Sequence, residues 1–303
     1  MSTIRERAPL AGHLDSARLF LLAALVPLGL FFTLLWFGPV VYTVVVSFFA
    51  NPLGEAQFVA VGNYVGILLR ETFWLFLQNS VVFAVSTTLL SLVVGLGFAL
   101  VVDERVAGRD TLRTLMIFPY LLPTVVVVYL WTLLLDQNLG LVNRILAETG
   151  LITDPIAFFA TVELAMPSIV VASVWKWGSF AFFILLANLQ AIPDAYYERA
   201  KVHGASPYQQ FRDVTFPHLR GAILLILLVR GIWMFNKFDI IWLTTRGGPV
   251  NVTTTLPIDI YDRTIRAGAF GEGAALATIM FLLLAVVGVV YFLVLTPEAE
   301  VTD

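Results

Sequence analysis

Apolar side chains occur along this chain in six long runs that short polar segments separate. The runs are Leu19–Phe49, Asn79–Val102, Thr114–Leu135, Glu163–Asn188, Gly221–Leu243 and Ala274–Leu295. At about 1.5 Å per residue, each run is long enough to cross the roughly 30 Å hydrocarbon core of a bilayer as a helix. Hydrocarbon offers backbone amides no partner, and the runs lack the alternation of barrel strands. The pattern therefore predicts an all-α polytopic membrane protein with six transmembrane helices.

Composition strengthens this interpretation and excludes several classes of function. Hydrophobic residues make up 59% of the 303 residues and charged residues 13%, against roughly 25% charged in a soluble domain. The net charge of −3 gives no basic surface for nucleic acid. There is no cysteine, and the three histidines lack the spacing of metal ligands on one helix. We therefore expect no catalytic residues, no metal and no enzyme activity.

Lysine and arginine predict the orientation of the spans. The segments on the amino-terminal side of the membrane hold 10 of these residues and the opposite loops hold 5. Both termini are therefore expected in the cytoplasm. The predicted organisation is a cytoplasmic segment over residues 1–18, a membrane domain over 19–295 and a cytoplasmic tail over 296–303.

The cytoplasmic loop over residues 189–220 is longer than a helix hairpin needs, and its sequence predicts two short helices. Asp194 can cap the first helix, and Gly204 can end it in a left-handed conformation. Ser206 and Gln209 form a capping-box pattern with a proline at the first helical position. Pro217 is expected to end the second helix. The loop would then be a compact knob at the membrane surface.

This loop also carries a motif. The stretch Glu198-Arg199-Ala200-Lys201-Val202-His203-Gly204-Ala205-Ser206, followed by Phe211, Val214, Phe216 and Pro217, resembles the Glu-Ala-Ala…Gly motif of ABC-importer permeases. Arg199 stands in place of an alanine of that motif and His203 in place of the acidic residue before the glycine. The position of the motif before the penultimate span, together with the flanking segments Ile192-Pro193 and Thr245-Arg246-Gly247-Gly248-Pro249, looks like the carbohydrate-uptake branch, which includes the maltose and glycerol-phosphate permeases.

The resemblance implies a type I importer permease fold in a prokaryotic cell membrane, with the loop as a coupling helix that docks on an ATPase. The residues implied in this coupling are Tyr197, Glu198, Ala200, Gly204, Ala205, Phe211 and Pro217. It also implies a homologous second permease, two ATP-binding subunits and an extracytoplasmic solute-binding protein. The imported solute would be a sugar or a related polyol.

Charged side chains inside the predicted spans are costly at membrane depth, so they should face protein or water. They are Lys176, Arg230, Lys237 and Asp239. Tryptophans near them in sequence can pack against the C–H faces of a sugar, while polar groups bind its hydroxyls. We therefore expect the solute to contact Asn236, Lys237, Asp239, Lys176 and Ser173.

No phosphate-binding motif occurs in the chain, so ATP and Mg²⁺ are expected on partner subunits and this chain needs no cofactor. The pair Gly95 and Gly97 lies within an apolar run and favours close helix packing. An alternative function stays open from the residues alone. A stand-alone secondary carrier or channel could use the intramembrane groups Lys176, Lys237 and Asp239 for ions or protons.

Overall fold

The computed structural model describes residues 11–103 and 108–294, which are almost entirely helical. The helices of the first half are α1 (Ala11–Phe32), α2 (Gly38–Val46), α3 (Gly62–Leu68), α4 (Glu71–Asp103), α5 (Arg109–Leu121), α6 (Thr124–Leu134) and α7 (Leu141–Glu148). The helices of the second half are α8 (Val162–Gln190), α9 (Asp194–Val202), α10 (Pro207–Gln210), α11 (Phe216–Phe235), α12 (Asp239–Thr244), α13 (Leu256–Tyr261) and α14 (Phe270–Val294). Strands β1 (Phe49–Ala50) and β2 (Gln57–Phe58) form a small antiparallel hairpin. Of the predicted termini, residues 1–10 and 296–303 lie outside the described ranges.

Within the described ranges, five helices are long and apolar enough to cross a membrane, and a bent helix pair can supply a sixth span. This confirms the predicted all-α architecture. The first span joins α1 to α2 through a π-helical turn at Thr33–Phe37. The second span begins at Glu71, ahead of the predicted start at Asn79. The residues before Asn79 belong to the same helix, although they are more polar than the apolar run that follows.

The third predicted span, Thr114–Leu135, is not a single helix. It consists of α5 and α6, which meet at an angle of 103°. Pro123 causes the break, because proline disfavours helical geometry in the residue before it. Leu122 is accordingly extended, with ψ of 135°.

The fifth predicted span, Gly221–Leu243, is wrong at both ends. Its helical run begins at Pro207 and ends at Phe235. Pro217 does not stop the helix, because a π-helical turn at Phe211–Thr215 precedes it. Such a turn widens the backbone and relieves the clash between a proline ring and the preceding turn. Residues 236–238 then leave the helix before α12 begins.

Helices α4 and α8 pack closely, and α11 packs against both. Gly95 makes this approach possible, as predicted: a Cβ there would lie 2.7 Å from the backbone nitrogen of Phe182 and 2.8 Å from Cβ of Ala181. Gly97 has open space around it, so only the first glycine of the pair is needed for packing. The core near this contact is apolar and includes the fully buried Leu185 and Ile226.

An ion network joins the start of α4 to α13 and α14. Glu272 accepts hydrogen bonds from Arg70 and Arg263, each at 2.7 Å, and Arg263 also pairs with Asp259 at 2.9 Å. Burial raises the pKa of Asp259, and the hydrogen bonds from Arg263 oppose that rise. The network ties segments that are distant in sequence, and the β-hairpin lies beside it because Phe49 contacts Gly271 of α14.

Candidate functional site

The turn between α9 and α10 has the geometry that the sequence predicts. Gly204 has φ of +77°, the left-handed conformation that favours glycine. The amide of Ala205 donates to the carbonyl of Ala200 at 3.0 Å, and the amide of Gly204 donates to Lys201 at 2.9 Å. These two bonds make a Schellman motif, which satisfies the carbonyls at the end of α9.

The capping box that begins α10 is also present. The amide of Gln209 donates to Oγ of Ser206 at 3.3 Å, and the amide of Ser206 donates to Oε1 of Gln209 at 2.7 Å. The predicted cap of α9 is wrong by one residue. Pro193 is the N-cap, and Asp194 is the first helical residue. There its negative charge interacts favourably with the positive end of the helix dipole.

The coupling segment, residues 194–217, combines an anchored face with an exposed face. Tyr197 and Ala200 pack against the apolar core, and the hydroxyls of Tyr197 and Thr215 lie 3.0 Å apart. Ala205 and Phe211 are half-buried, whereas Glu198, Gly204 and Pro217 are exposed. Val202 and Tyr208 expose 85% and 70% of their surface, so the tip of the segment presents apolar as well as polar groups. Such a surface suits a protein partner.

A second assembly of polar groups lies where the third span breaks. The extended backbone at Leu122 leaves its carbonyl without a helical partner, and the ammonium of Lys176 on α8 donates a hydrogen bond to it. Ser179, one turn further along α8, donates to the carbonyl of Met116. Side chains from α8 therefore satisfy and hold the broken helix, as membrane-buried backbone requires.

Next to this break lies a cavity of about 280 Å³. Its lining residues are Tyr120, Trp177, Arg230, Trp233, Met234, Asn236 and Lys237. The end of α11 at Phe235 brings Asn236 and Lys237 into this lining, because the irregular residues 236–238 no longer follow the helix. The side-chain amide of Asn236 also donates a hydrogen bond to the carbonyl of Ile232 at 2.9 Å.

Three cationic groups surround the ring of Trp177. Nζ of Lys237 lies 4.4 Å from the ring centroid, Nζ of Lys176 lies 5.6 Å away, and the guanidinium carbon of Arg230 lies 5.8 Å away. Arg230 also lies 4.9 Å from the ring of Phe180 and donates to the carbonyl of Trp177 at 3.1 Å. Cation–π contacts of this kind stabilise a desolvated cation.

The five predicted solute contacts differ in their placement. Asn236 and Lys237 line the cavity. Asp239 forms an ion pair with Lys237 at 3.0 Å, and Lys176 interacts electrostatically with both of these groups. Ser173 is fully buried on α8 and does not line the cavity.

Tyr120 is a cavity residue that the sequence interpretation missed. It is the second-last residue of α5, two residues before the break at Leu122, and a continuous third helix would not single it out. Pro119 and Pro123 were the signal that could have located the break and therefore Tyr120. Over residues 11–103 and 108–294, no cluster of histidine, aspartate and glutamate could hold a metal ion.

The fold and these two assemblies define a multi-pass membrane permease with a coupling segment. Residues 91–299 match the family described as the binding-protein-dependent transport system inner membrane component. The chain belongs to this family, and it is the permease component of an ABC importer in the inner membrane. The alternative of a stand-alone secondary carrier is not supported.

Individual relatives agree with the family assignment. The chain is 35% identical to the trehalose/maltose transport system permease of Thermococcus litoralis over 78% of this chain and 79% of the relative. It is 31% identical to the sn-glycerol-3-phosphate transport system permease of Agrobacterium fabrum over 76% of this chain and 78% of the relative. A bacterial ABC transporter for alginate import contains a chain with the same fold, with a TM-score of 0.78 at 21% identity, covering 93% of this chain and 98% of that one.

Proposed function

We propose that this permease imports a sugar or a related polyol, which binds in the cavity beside Trp177. The observation that carries this proposal is the lining itself, in which Trp177 and Trp233 lie beside Asn236 and Lys237. Indole rings pack on the C–H faces of a sugar, while amide, ammonium and hydroxyl groups bind its hydroxyls. The names of the relatives, which refer to trehalose, maltose and glycerol phosphate, support the same class of solute.

The remaining predicted contacts have supporting positions in this proposal. Lys176 and Asp239 set the position of Lys237 through charge, and Ser173 is buried on α8, the helix that carries Lys176 and Trp177. The chain itself performs no covalent chemistry. Its work is to bind the solute and to change the side of the membrane from which the cavity is open.

The coupling segment is proposed to dock on an ATP-binding subunit. Glu198 and the turn at Gly204 would contact that subunit, while Tyr197, Ala200, Ala205 and Phe211 connect the segment to the core and Pro217 to the start of α11. Closure of paired ATPases around ATP and Mg²⁺ would then move the segment. Its rigid attachment to α11, through the continuous helix Pro207–Phe235, would transmit this movement towards the cavity.

The assembly would contain a second, homologous permease, two ATP-binding subunits and an extracytoplasmic solute-binding protein. Both termini would lie in the cytoplasm, on the side of the coupling segment, because most lysines and arginines occur there.

The test of the solute site is uptake by the reconstituted assembly as a function of solute concentration. Asn236→Leu and Lys237→Met each remove a polar group from the cavity, and an unpaired solute hydroxyl costs about 1–3 kcal/mol, which is roughly 5- to 150-fold in affinity. We expect a raised half-saturation concentration with normal basal ATP hydrolysis. Asn138→Leu, on the loop before α7, is the matched control. Unchanged uptake in both cavity variants would move the solute site elsewhere.

A further inference from the structure

The cavity carries an excess of positive charge. Arg230 and Lys237 line it, and its lining contains no carboxylate. Lys176 adds a third cation beside the ring of Trp177, and Asp239 supplies one carboxylate, which is paired with Lys237. In the part of the chain that the structure describes, neither Arg230 nor Lys176 forms an ion pair.

The contacts that hold these cations do not neutralise them. Arg230 exposes 3% of its surface and Lys176 exposes 5%. Their partners are the carbonyls of Trp177 and Leu122 together with aromatic rings, which are dipoles and quadrupoles without net charge. A buried cation without a counter-ion is costly, and like charges around one ring repel each other. A counter-ion that entered the cavity would relieve both costs.

The same cavity offers neutral polar groups at its wall. Tyr120 carries a hydroxyl and Asn236 an amide, and both line the space beside the two cations. A solute that joins an anionic group to several hydroxyls matches this combination. Its anion would lie near Arg230 and Lys237, and its hydroxyls near Tyr120 and Asn236.

We propose that the cavity selects a sugar or polyol that carries an anionic group, because Arg230 and Lys237 line it while, among the described residues, Asp239 alone balances the three cations around Trp177. This inference rests on the proposed solute site and specifies the class of solute that binds there. The anion can be a carboxylate, a sulfonate or a phosphate, since each accepts hydrogen bonds from guanidinium and ammonium groups.

The first experiment compares two probes that differ in charge. The complete importer in nanodiscs is titrated with D-glucuronate and with its neutral amide, D-glucuronamide, at equal ionic strength, and tryptophan fluorescence reports binding because Trp177 and Trp233 line the cavity. We expect glucuronate to bind at least about tenfold more tightly, and Lys237→Gln to reduce this preference below about threefold. Arg144→Gln removes a cation from an exposed pair on α7 and should keep the preference.

The outcomes separate the two levels of the proposal. Equal binding of glucuronate and glucuronamide would overturn the anionic inference and leave the sugar site intact. If neither probe binds, the result contradicts both the anionic inference and the proposed sugar site. Loss of the preference in Arg144→Gln as well as in Lys237→Gln would show a diffuse charge effect and would also overturn the inference.

A second measurement does not depend on the identity of the solute. The chain has no cysteine, so a single cysteine can be introduced at Asn236→Cys. Its rates of reaction with a sulfonated and with a trimethylammonium thiosulfonate reagent report the local potential. We expect the ratio of the two rates to favour the anionic reagent about tenfold more than at the exposed control Leu139→Cys. Equal ratios at both positions would mean that a partner carboxylate neutralises the cavity, which overturns the inference.

Discussion

Helical structure is interrupted at two important places in this permease, and the backbone groups are satisfied in a different way at each. At the surface, the turn at Gly204 satisfies its own carbonyls and amides through the Schellman motif and the capping box of Ser206 and Gln209. At the cavity, the carbonyl that the break at Leu122 leaves free accepts a hydrogen bond from Lys176, which lies 54 residues away along the chain. Ser179, which lies 63 residues from Met116, adds a second bond from α8 to the carbonyl of Met116 in α5.

The difference follows from the two environments. Water can bind any group that the surface turn leaves free, so the turn needs only local side chains. The hydrocarbon core offers no such partner, so the break can persist only where another helix supplies donors. The surface turn therefore needs no distant partner, whereas the membrane break depends on hydrogen bonds from α8.

The strongest test of this comparison is Gly204→Val in the surface turn. A β-branched residue at φ of +77° costs about 1–3 kcal/mol of local strain. We expect loss of ATPase co-purification and of solute-stimulated ATP hydrolysis, with the membrane helices still folded. Gly204→Asn is the matched control, because asparagine tolerates the left-handed conformation. Normal assembly of the valine variant would remove the turn from the docking surface.

The next test is Lys176→Met at the membrane break. The substitution leaves the carbonyl of Leu122 unpaired but also removes a buried charge, so we expect a net loss of about 1–2 kcal/mol. The thermal midpoint of the assembled complex should fall, and uptake should fall with it because Tyr120 is held by the same break. Lys176→Arg should retain most of the stability, since a guanidinium can donate the same bond. Equal stability of the methionine variant would show that the break is held by its apolar contacts.

The same contrast explains which features the sequence predicts. The capping box and the left-handed glycine depend on neighbouring residues, and the structure confirms them. The six apolar runs correspond to five long helices and one bent helix pair. The break at Leu122 and the end of α11 at Phe235 depend on groups distant in sequence, so periodicity alone extends both spans too far. Pro217 led to the opposite error, a helix predicted to end too early, because a π-helical turn accommodates a proline that would otherwise end a helix.

The cavity was predictable in its residue types more than in its shape. Intramembrane charge identified Lys176, Arg230 and Lys237 as groups that avoid lipid, and all three surround Trp177. Arg230 and Lys237 do not share one helical face as a continuous fifth helix would require, since the helix ends between them. Their convergence results from tertiary packing of α8 against α11, which local patterns do not encode.

A smaller effect is expected from Ser206→Ala, which removes one half of the capping box. Loss of a serine N-cap costs about 1 kcal/mol. The start of α10 should fray, and ATP hydrolysis should couple less tightly to uptake, so more ATP is consumed for each solute imported. Ser206→Asp keeps an acceptor for the amide of Gln209 and should restore the wild-type ratio. An unchanged ratio in the alanine variant would show that contacts with the ATPase, rather than the cap, order this helix.

The smallest effect is expected from Tyr197→Phe, which removes one hydrogen bond from the anchored face of the coupling segment. The hydroxyls of Tyr197 and Thr215 lie 3.0 Å apart, and Thr215 is buried at the π-helical turn. A neutral hydrogen bond contributes about 0.5–1 kcal/mol, and the phenyl ring keeps the apolar packing. The thermal midpoint of the complex should fall slightly. The amount of ATP consumed for each solute imported should rise less than in Ser206→Ala. Tyr129→Phe is the control, because Tyr129 on α6 is 73% exposed and lies outside the coupling segment. A larger loss at Tyr197 than at Ser206 would mean that the anchor to α11, and not the local cap, carries the movement from the surface turn to the membrane.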